Sequence, residues 1–298
     1  MSYLGELAGL ATALCWAFTS ICFTEAGRRI GSFKVNKVRL LFAASIYTVV
    51  LLSVTGRLFP ADLNNQQVFW LVLSGMVGFV FGDGCLFKGL VMIGPRLTML
   101  LHATAPIMAV LIAWVFLGEK LGLLSLVGIA LTVFGVTWVI TERGNSNKNN
   151  SSLAAGHPDS GTLLKGVLLG LGAALGQAAG LVMSKQAMVH SGGSVPPMEA
   201  SYIRILAALV TIWVISAFRG QLPATIGSMK NGQAMAFALG GAFTGPFLGV
   251  WMSLVAVKLI ATGIAATLNA MTPVMIIPLL IIIYKEKISL RAVLGAVI

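Results

Sequence analysis

Apolar runs of roughly 20 residues, each closed by a short cluster of charged, Gly or Asn positions, recur along the whole chain, and about 20 such residues are what a helix needs to cross a ~30 Å hydrocarbon core. The pattern predicts helices over Tyr3–Phe23, Val38–Thr55, Val68–Leu90, Leu97–Leu117 and Leu121–Ile140. The stretch Glu142–Lys165, rich in Asn, Ser and Gly, reads as a solvated linker. Further helices are predicted over Gly166–Val189, Ala200–Phe218, Gln233–Val257 and Thr262–Tyr284, and a tenth begins near Ile288. From there to Ile298 a helix rises only ~16 Å, about half a bilayer core. The last helix is therefore expected to be truncated.

The two halves repeat. LGEK at 117–120 matches YKEK at 284–287, 167 positions on, and at that spacing Pro106 falls on Pro273, Gly78 on Gly245, Gly82 on Gly249 and Gly128 on Gly295. Arg39 falls on Arg204 at a spacing of 165, and Gly5 and Gly9 fall on Gly166 and Gly170 at 161. The organisation read from this is a first five-helix repeat over 1–141, a linker over 142–165 and a second repeat over 166–298. After an odd number of crossings the second copy starts on the opposite face. The expected architecture is an all-α membrane protein of ten transmembrane helices in two inverted five-helix repeats, with a site near the midplane.

Composition sharpens the class. Of 298 residues 57% are hydrophobic and 10% charged, with a mean hydropathy of +0.93, too little polar surface to coat a water-soluble globule. Cys15, Cys22 and Cys85 lie in apolar runs without a CxxC pair, so neither a disulfide framework nor a metal site is indicated. The net charge of +11 sits mostly between the runs, where it meets lipid headgroups rather than nucleic acid. The first run is read as a spanning helix, not a cleavable signal. Nine acidic residues, three histidines and no HExxH or GxSxG leave little for an intramembrane enzyme. That reading and a channel stay as alternatives. No P-loop is present, so ATP is not the direct energy source on this chain, and no cofactor is implied.

Specific residues carry a family likeness: ALCWAFTS around Trp16, Arg39 at the second span, GDGCLFKGLVMIG in the third, and ATAPIMAVLIAWVFLGEKL echoed by LNAMTPVMIIPLLIIIYKEKI. In these the chain resembles the drug/metabolite transporter superfamily, specifically its EamA-type ten-helix exporters and permeases. The resemblance implies a multi-pass protein of the plasma (inner) membrane, monomer or homodimer, that moves a small organic metabolite or drug-like solute by alternating access. It also implies cytoplasmic termini. Loop charges disagree: fifteen Lys and Arg fall on the face of the first interhelical loop and five on the other, which by the positive-inside rule places the N-terminus outside. The topology is taken here from the resemblance.

Polar groups inside the runs are the candidate chemistry, because in lipid each is costly unless paired or facing a wet cavity. Asp83, between Gly82 and Gly84, is too short to snorkel; it either makes a helix–helix contact or faces a cavity to bind a cation or carry a proton. Glu6 is the other proton-coupling candidate, with an interfacial position as the alternative. His102 and Asn269 occupy equivalent positions, each four residues before its repeat's proline, so each stacks with Pro106 or Pro273 on one helix face. Proline frees a carbonyl and kinks the helix. Trp16, its equivalent Gln177, and Trp251 are expected to line the same cavity. Lys88, Lys185 and Lys258 are expected to snorkel to the interface. Glu119 and Glu286 are expected to complement the N-termini of the helices they open. Ladders of small residues (Ser74, Gly78, Gly82; Gly172, Gly176, Gly180; Gly241, Gly245, Gly249) predict close helix packing.

Overall fold

The computed structural model describes residues 3–60, 63–93, 98–99, 101–120, 122–123, 126–131, 133–135, 138, 160–272, 274–275 and 279, and their regular structure is helical throughout. α1 is Leu4–Ile30, α2 Ser32–Thr55 and α4 Ala105–Leu117. Between the last two, α3 covers 65–92 in three parts: Asn65–Gly75, a π-helical Met76–Gly82, and Asp83–Met92. α5 runs over Ser160–Lys185 and ends in a π segment, Gln186–His190. α6 is Pro197–Phe218 and α7 a short Leu222–Ser228. α8 joins Gly232–Ala242, a π segment Phe243–Gly249 and Val250–Leu259, and α9 is Thr262–Ala270. Among the described residues six helices are long and apolar enough to span a bilayer. Pro273, residues 142–159 and the tenth span lie outside the described residues.

The first interhelical segment differs from its hydropathy. Thr24–Lys37 is helical except at Gly31, whose φ of 88° turns the chain at a single residue; a β-carbon would strain that conformation. Charge does not break the helices, because Glu25 satisfies Arg28 and Arg29 on its own face at 2.8 Å each. Ser160–Lys165, read as linker, form the first turns of α5.

The internal repeat reaches down to hydrogen-bond register. The three parts of α3 map onto the three parts of α8 at a spacing of 167, residue for residue at every boundary. Both helices open on an Asn cap: Asn64 accepts from Gln67 N at 2.8 Å and Asn231 from Ala234 N at 3.0 Å. Both π segments close with a bond five residues back, Asp83 N–H to Gly78 O and Val250 N–H to Gly245 O. Ala103 and Thr104 form a turn directly before α4, which carries Pro106 in its first turn. Met271, the equivalent of Thr104, is also a turn.

Glycine contacts show how the halves fit. α1 lies on α8 with Trp16 against Gly249, Thr19 against Gly245 and Phe23 against Gly241, while Gly9 meets Leu268 and Gly5 meets Ile260. α5 lies on α3 in the same way: Gly176 against Gly82, Gly180 against Gly78, Gly170 against Leu101 and Gly166 against Ile93. Each of the last three pairs is the repeat equivalent of one in the first set. In both pairings one helix ascends as the other descends, so each pair is antiparallel. Phe33, at the start of α2, meets Phe87 near the end of α3, so α1 and α3 finish on one face. α5 runs against α3 and hence against α1, its own equivalent, which makes the repeats inverted.

Two expectations arise from this seam. A methyl on Gly176 would lie 2.6 Å from the Gly82 Cα, whereas Gly84 has nothing within 4 Å. Gly176→Ala should lose about 1–3 kcal/mol through overpacking, and Gly84→Ala should be neutral or gain up to ~1 kcal/mol, read by unfolding in detergent; equal effects would refute the close approach. Gln66 and Gln233 are exposed equivalents, so single cysteines there should react with an impermeant thiol reagent from opposite faces of sealed vesicles. Labelling from one shared face would contradict the inversion.

Candidate functional site

Three charges lie along α3 at its π segment, Arg39 and Arg204 buried and Asp83 partly so. Arg39 sits about two turns into α2 and pairs with Asp83, the first residue after that segment. Its Nε donates to Asn36 Oδ1 at 2.7 Å, and the Phe23 and Phe87 rings lie 5.8 Å from its guanidinium carbon. The π turn adds a residue to the helix cycle and so re-aims the residues C-terminal to it, which brings Asp83 round to α2. Removing one partner of such a buried pair costs about 3–5 kcal/mol.

Arg204, the repeat equivalent of Arg39, has no such partner among the described residues. It is 4% exposed, and its Nε meets no acceptor. Its backbone carbonyl packs against Gly75, its Nη2 is 3.5 Å from where Gly78 and Gly180 would carry a β-carbon, and its guanidinium stacks 5.0 Å from the Phe79 ring. Asp83 is held by Arg39. The position equivalent to Asp83 in the second half is Val250. Arg204 lies about two turns into α6, short of its centre, so an unpaired Arg there costs at most about 2.5–3.5 kcal/mol, the mid-helix value on insertion scales, partly offset by the Phe79 face.

Aromatic rings close the space around these charges. Trp16, Tyr47, Phe79, Tyr202, Phe247 and Trp251 belong to one cluster drawn from α1, α2, α3, α6 and α8. Tyr47 and Phe247 meet edge to face at 4.8 Å, and Trp251 stands 6.1 Å from Phe247. Tyr47 Oη donates to Phe247 O at 2.8 Å, a carbonyl within the α8 π segment, which contains Pro246. The structure thus brings Trp16 and Trp251 into one cluster, whereas Asp83 lies outside it on Arg39. Gln177 is next to Gly176 at the Gly82 contact.

Asn269 and His102 are positioned by their neighbours: Leu268 seats on Gly9 and Leu101 on Gly170. Asn269 Nδ2 donates to Ser253 Oγ at 2.9 Å, while its buried Oδ1 has no partner. His102 is half-buried. Among the described residues no hydrogen bond or ion pair joins Asp83, His102 and Asn269 to one another. Glu6 has one carboxylate oxygen buried without a partner.

Two expectations are corrected. Lys185 does not snorkel; it pairs with Glu119 at 2.7 Å and donates to Ile260 O at 2.7 Å. Glu119 complements a helix N-terminus in the other repeat, accepting from Thr262 N at 2.8 Å and Thr262 Oγ1 at 3.0 Å at the start of α9. In lipid, tying these groups together costs less than solvating each alone. On the same face, Lys258 Nζ donates to Val195 O at 2.9 Å and Asn64 Nδ2 to Ser191 O at 2.7 Å. Lys88, by contrast, is exposed at the end of α3 as expected.

Sequence reasoning used Arg39 and Arg204 only as alignment markers and loop charges. Their matched spacing was the available signal; their depth depended on where α2 and α6 begin, at Ser32 and Pro197. Two grooves lie apart from this centre. One, about 620 Å³, is bordered by Arg29, Lys34 and Lys230 at the α1–α2 turn face; the other, about 380 Å³, is bordered by Trp70, Ile112, Phe116 and Met183.

Comparison with known proteins agrees with this architecture. The model of the EamA-like transporter family matches residues 3–141 and again 164–298. An uncharacterized transporter of Archaeoglobus fulgidus is 26% identical over 290 residues, covering 97% of this chain and 92% of that protein. A solved crystal structure superposes with a TM-score of 0.74 over 100% of this chain and 94% of its own, at 14% identity, and so shares the fold. The chain belongs to the EamA-like transporter family and is a multi-pass membrane transporter.

Proposed function

We propose that this chain is a secondary transporter of the plasma (inner) membrane that moves a small organic solute by alternating access. The observation that carries the reading is the set of Arg39, Asp83 and Arg204 along α3, beside an aromatic cluster, in a fold built on two equivalent glycine seams. Inverted repeats supply two conformations of similar energy, one open to each face. Solute binding must favour neither strongly, otherwise the cycle stalls in one basin. Cβ-free faces at Gly78, Gly82, Gly176 and Gly180 leave no side-chain knob to block sliding of α5 on α3. Glu119, Lys185 and Thr262 hold the halves together on one face, and parting them opens that side.

In this scheme His102, Asn269, Gln177, Trp16 and Trp251 line the solute's path, and repeats 1–141 and 166–298 move as the two bodies. The unsatisfied Asn269 Oδ1 supports a polar contact there. Orientation follows the exposed charge. Burial removes Lys37 and Arg39 from one face and Lys185 and Arg204 from the other. Arg28, Arg29, Lys88, Arg219 and Lys230 remain exposed on the α1–α2 turn face against Arg57 and Lys120 opposite. The positive-inside rule then sets the turn face in the cytoplasm, reversing the topology taken from the resemblance.

Asp83 couples transport to protons by releasing Arg39 when protonated. Asp83→Asn should insert in the membrane but lose gradient-driven solute accumulation in vesicles, and should lower stability by about 3–5 kcal/mol by orphaning Arg39. The Arg39→Gln/Asp83→Asn double variant should recover most of the stability and none of the accumulation. Wild-type accumulation in Asp83→Asn removes Asp83 from the mechanism. Recovery of both properties in the double variant reduces the pair to a structural contact.

A further inference from the structure

We infer that the solute is an organic monoanion, a carboxylate on an aromatic body, and that Arg204 is the residue that receives its charge. The inference rests on the carrier reading above and gives that carrier its substrate class. The centre holds two guanidinium groups and one carboxylate, and the carboxylate is committed to Arg39, which also has Asn36. Arg204 is left with an aromatic face and an orphaned Nε but no acceptor among the described residues.

Repeat symmetry shows that this imbalance is particular to one half. Arg39 and Arg204 are equivalent, yet Val250 stands where Asp83 stands in the first repeat. A second internal acid would have neutralised Arg204 permanently; its absence leaves a cation that an anionic solute completes. Guanidinium is the side chain suited to the task, since its planar fork binds a carboxylate through two parallel N–H donors. The glycines at 78 and 180 keep β-carbons away from Nη2. Tyr47, Phe79, Phe247 and Trp251 pack in one aromatic cluster beside Arg204, among which an aromatic body would replace ring contacts with like ones as the halves part. A cationic solute, the other reading of Asp83, would have to displace Arg39 from it.

The test uses matched probes on purified full-length chain in detergent: phenylacetate, phenylacetamide and 2-phenylethylammonium, and the indole series indole-3-acetate, indole-3-acetamide and tryptamine. Thermal midpoint and tryptophan fluorescence are read against probe concentration. The carboxylate of at least one series should bind saturably, about tenfold or more tighter than its amide or ammonium partners. Arg204→Lys should weaken it by about tenfold, by keeping charge without the fork, and Arg204→Gln should abolish the preference while its ligand-free midpoint stays at or above that of the wild type. No carboxylate preference in either series overturns the inference, as does an unchanged preference in Arg204→Gln. So does a lower ligand-free midpoint in that variant, which would mark Arg204 as structural. Failure of Arg204→Gln to fold is the extreme of that result and overturns the inference as well. Flux in proteoliposomes separates the two claims: carboxylate binding without flux removes the carrier and keeps the anion site, whereas flux of amide or ammonium probes keeps the carrier and removes the anion site.

Discussion

Where α5 crosses α3, no side chain fits between the helices: a methyl on Gly176 would lie 2.6 Å from the Gly82 Cα, and one on Gly82 would lie 3.3 Å from the backbone of Gly176. In lipid there is no hydrophobic drive to bring helices together, so contact of this kind supplies the attraction through backbone dispersion and shape. The requirement sets the sequence on both sides of the seam, and through the π turns it sets the direction of the side chains beyond them. Asp83 and Val250 are the first residues past those turns. α1 meets α8 under the same constraint with larger partners, Thr19 and Phe23 against Gly245 and Gly241. One geometry, used twice in opposite directions, holds the two halves together.

Between the two halves the symmetry is broken in charge. The first repeat satisfies its arginine with an acid and an amide, whereas the second leaves its arginine against an aromatic ring. A buried, unpaired cation destabilises the ligand-free protein, so its retention ties the resting state to whatever neutralises it. The aromatic rings serve both sides of this arrangement. They pack as an apolar core around Tyr47 and Phe247, and they present faces and polar tips to the centre.

Hydropathy and repeat spacing made the architecture legible: the main apolar spans, the inversion, the glycine ladders and the break before Pro106 all stem from period and position. The segment around Gly31 was not legible, because hydropathy treats Arg28, Arg29 and Lys34 as loop residues even when α1 and α2 extend past the apolar zone. The π register of Met76–Gly82 was invisible for another reason, since it is a property of backbone hydrogen bonding and not of side-chain polarity. Asp83 was found because an acid flanked by glycines has no route to water. Its partner was missed, because an ion pair between residues on α2 and α3 exists only once those helices are packed. Glu119 shows the same limit, with its partners Lys185 and Thr262 far along the chain.

Alternate exposure of one central position can be read directly by placing a cysteine at Ser253, the buried partner of Asn269, in a chain whose Cys15, Cys22 and Cys85 are replaced by serine. In sealed proteoliposomes of known orientation, an impermeant thiol reagent should modify that cysteine when applied from either face, and a transported solute should suppress both reactions. Modification from a single face, or from neither while solute flux persists, would contradict a shared site that opens to each side in turn.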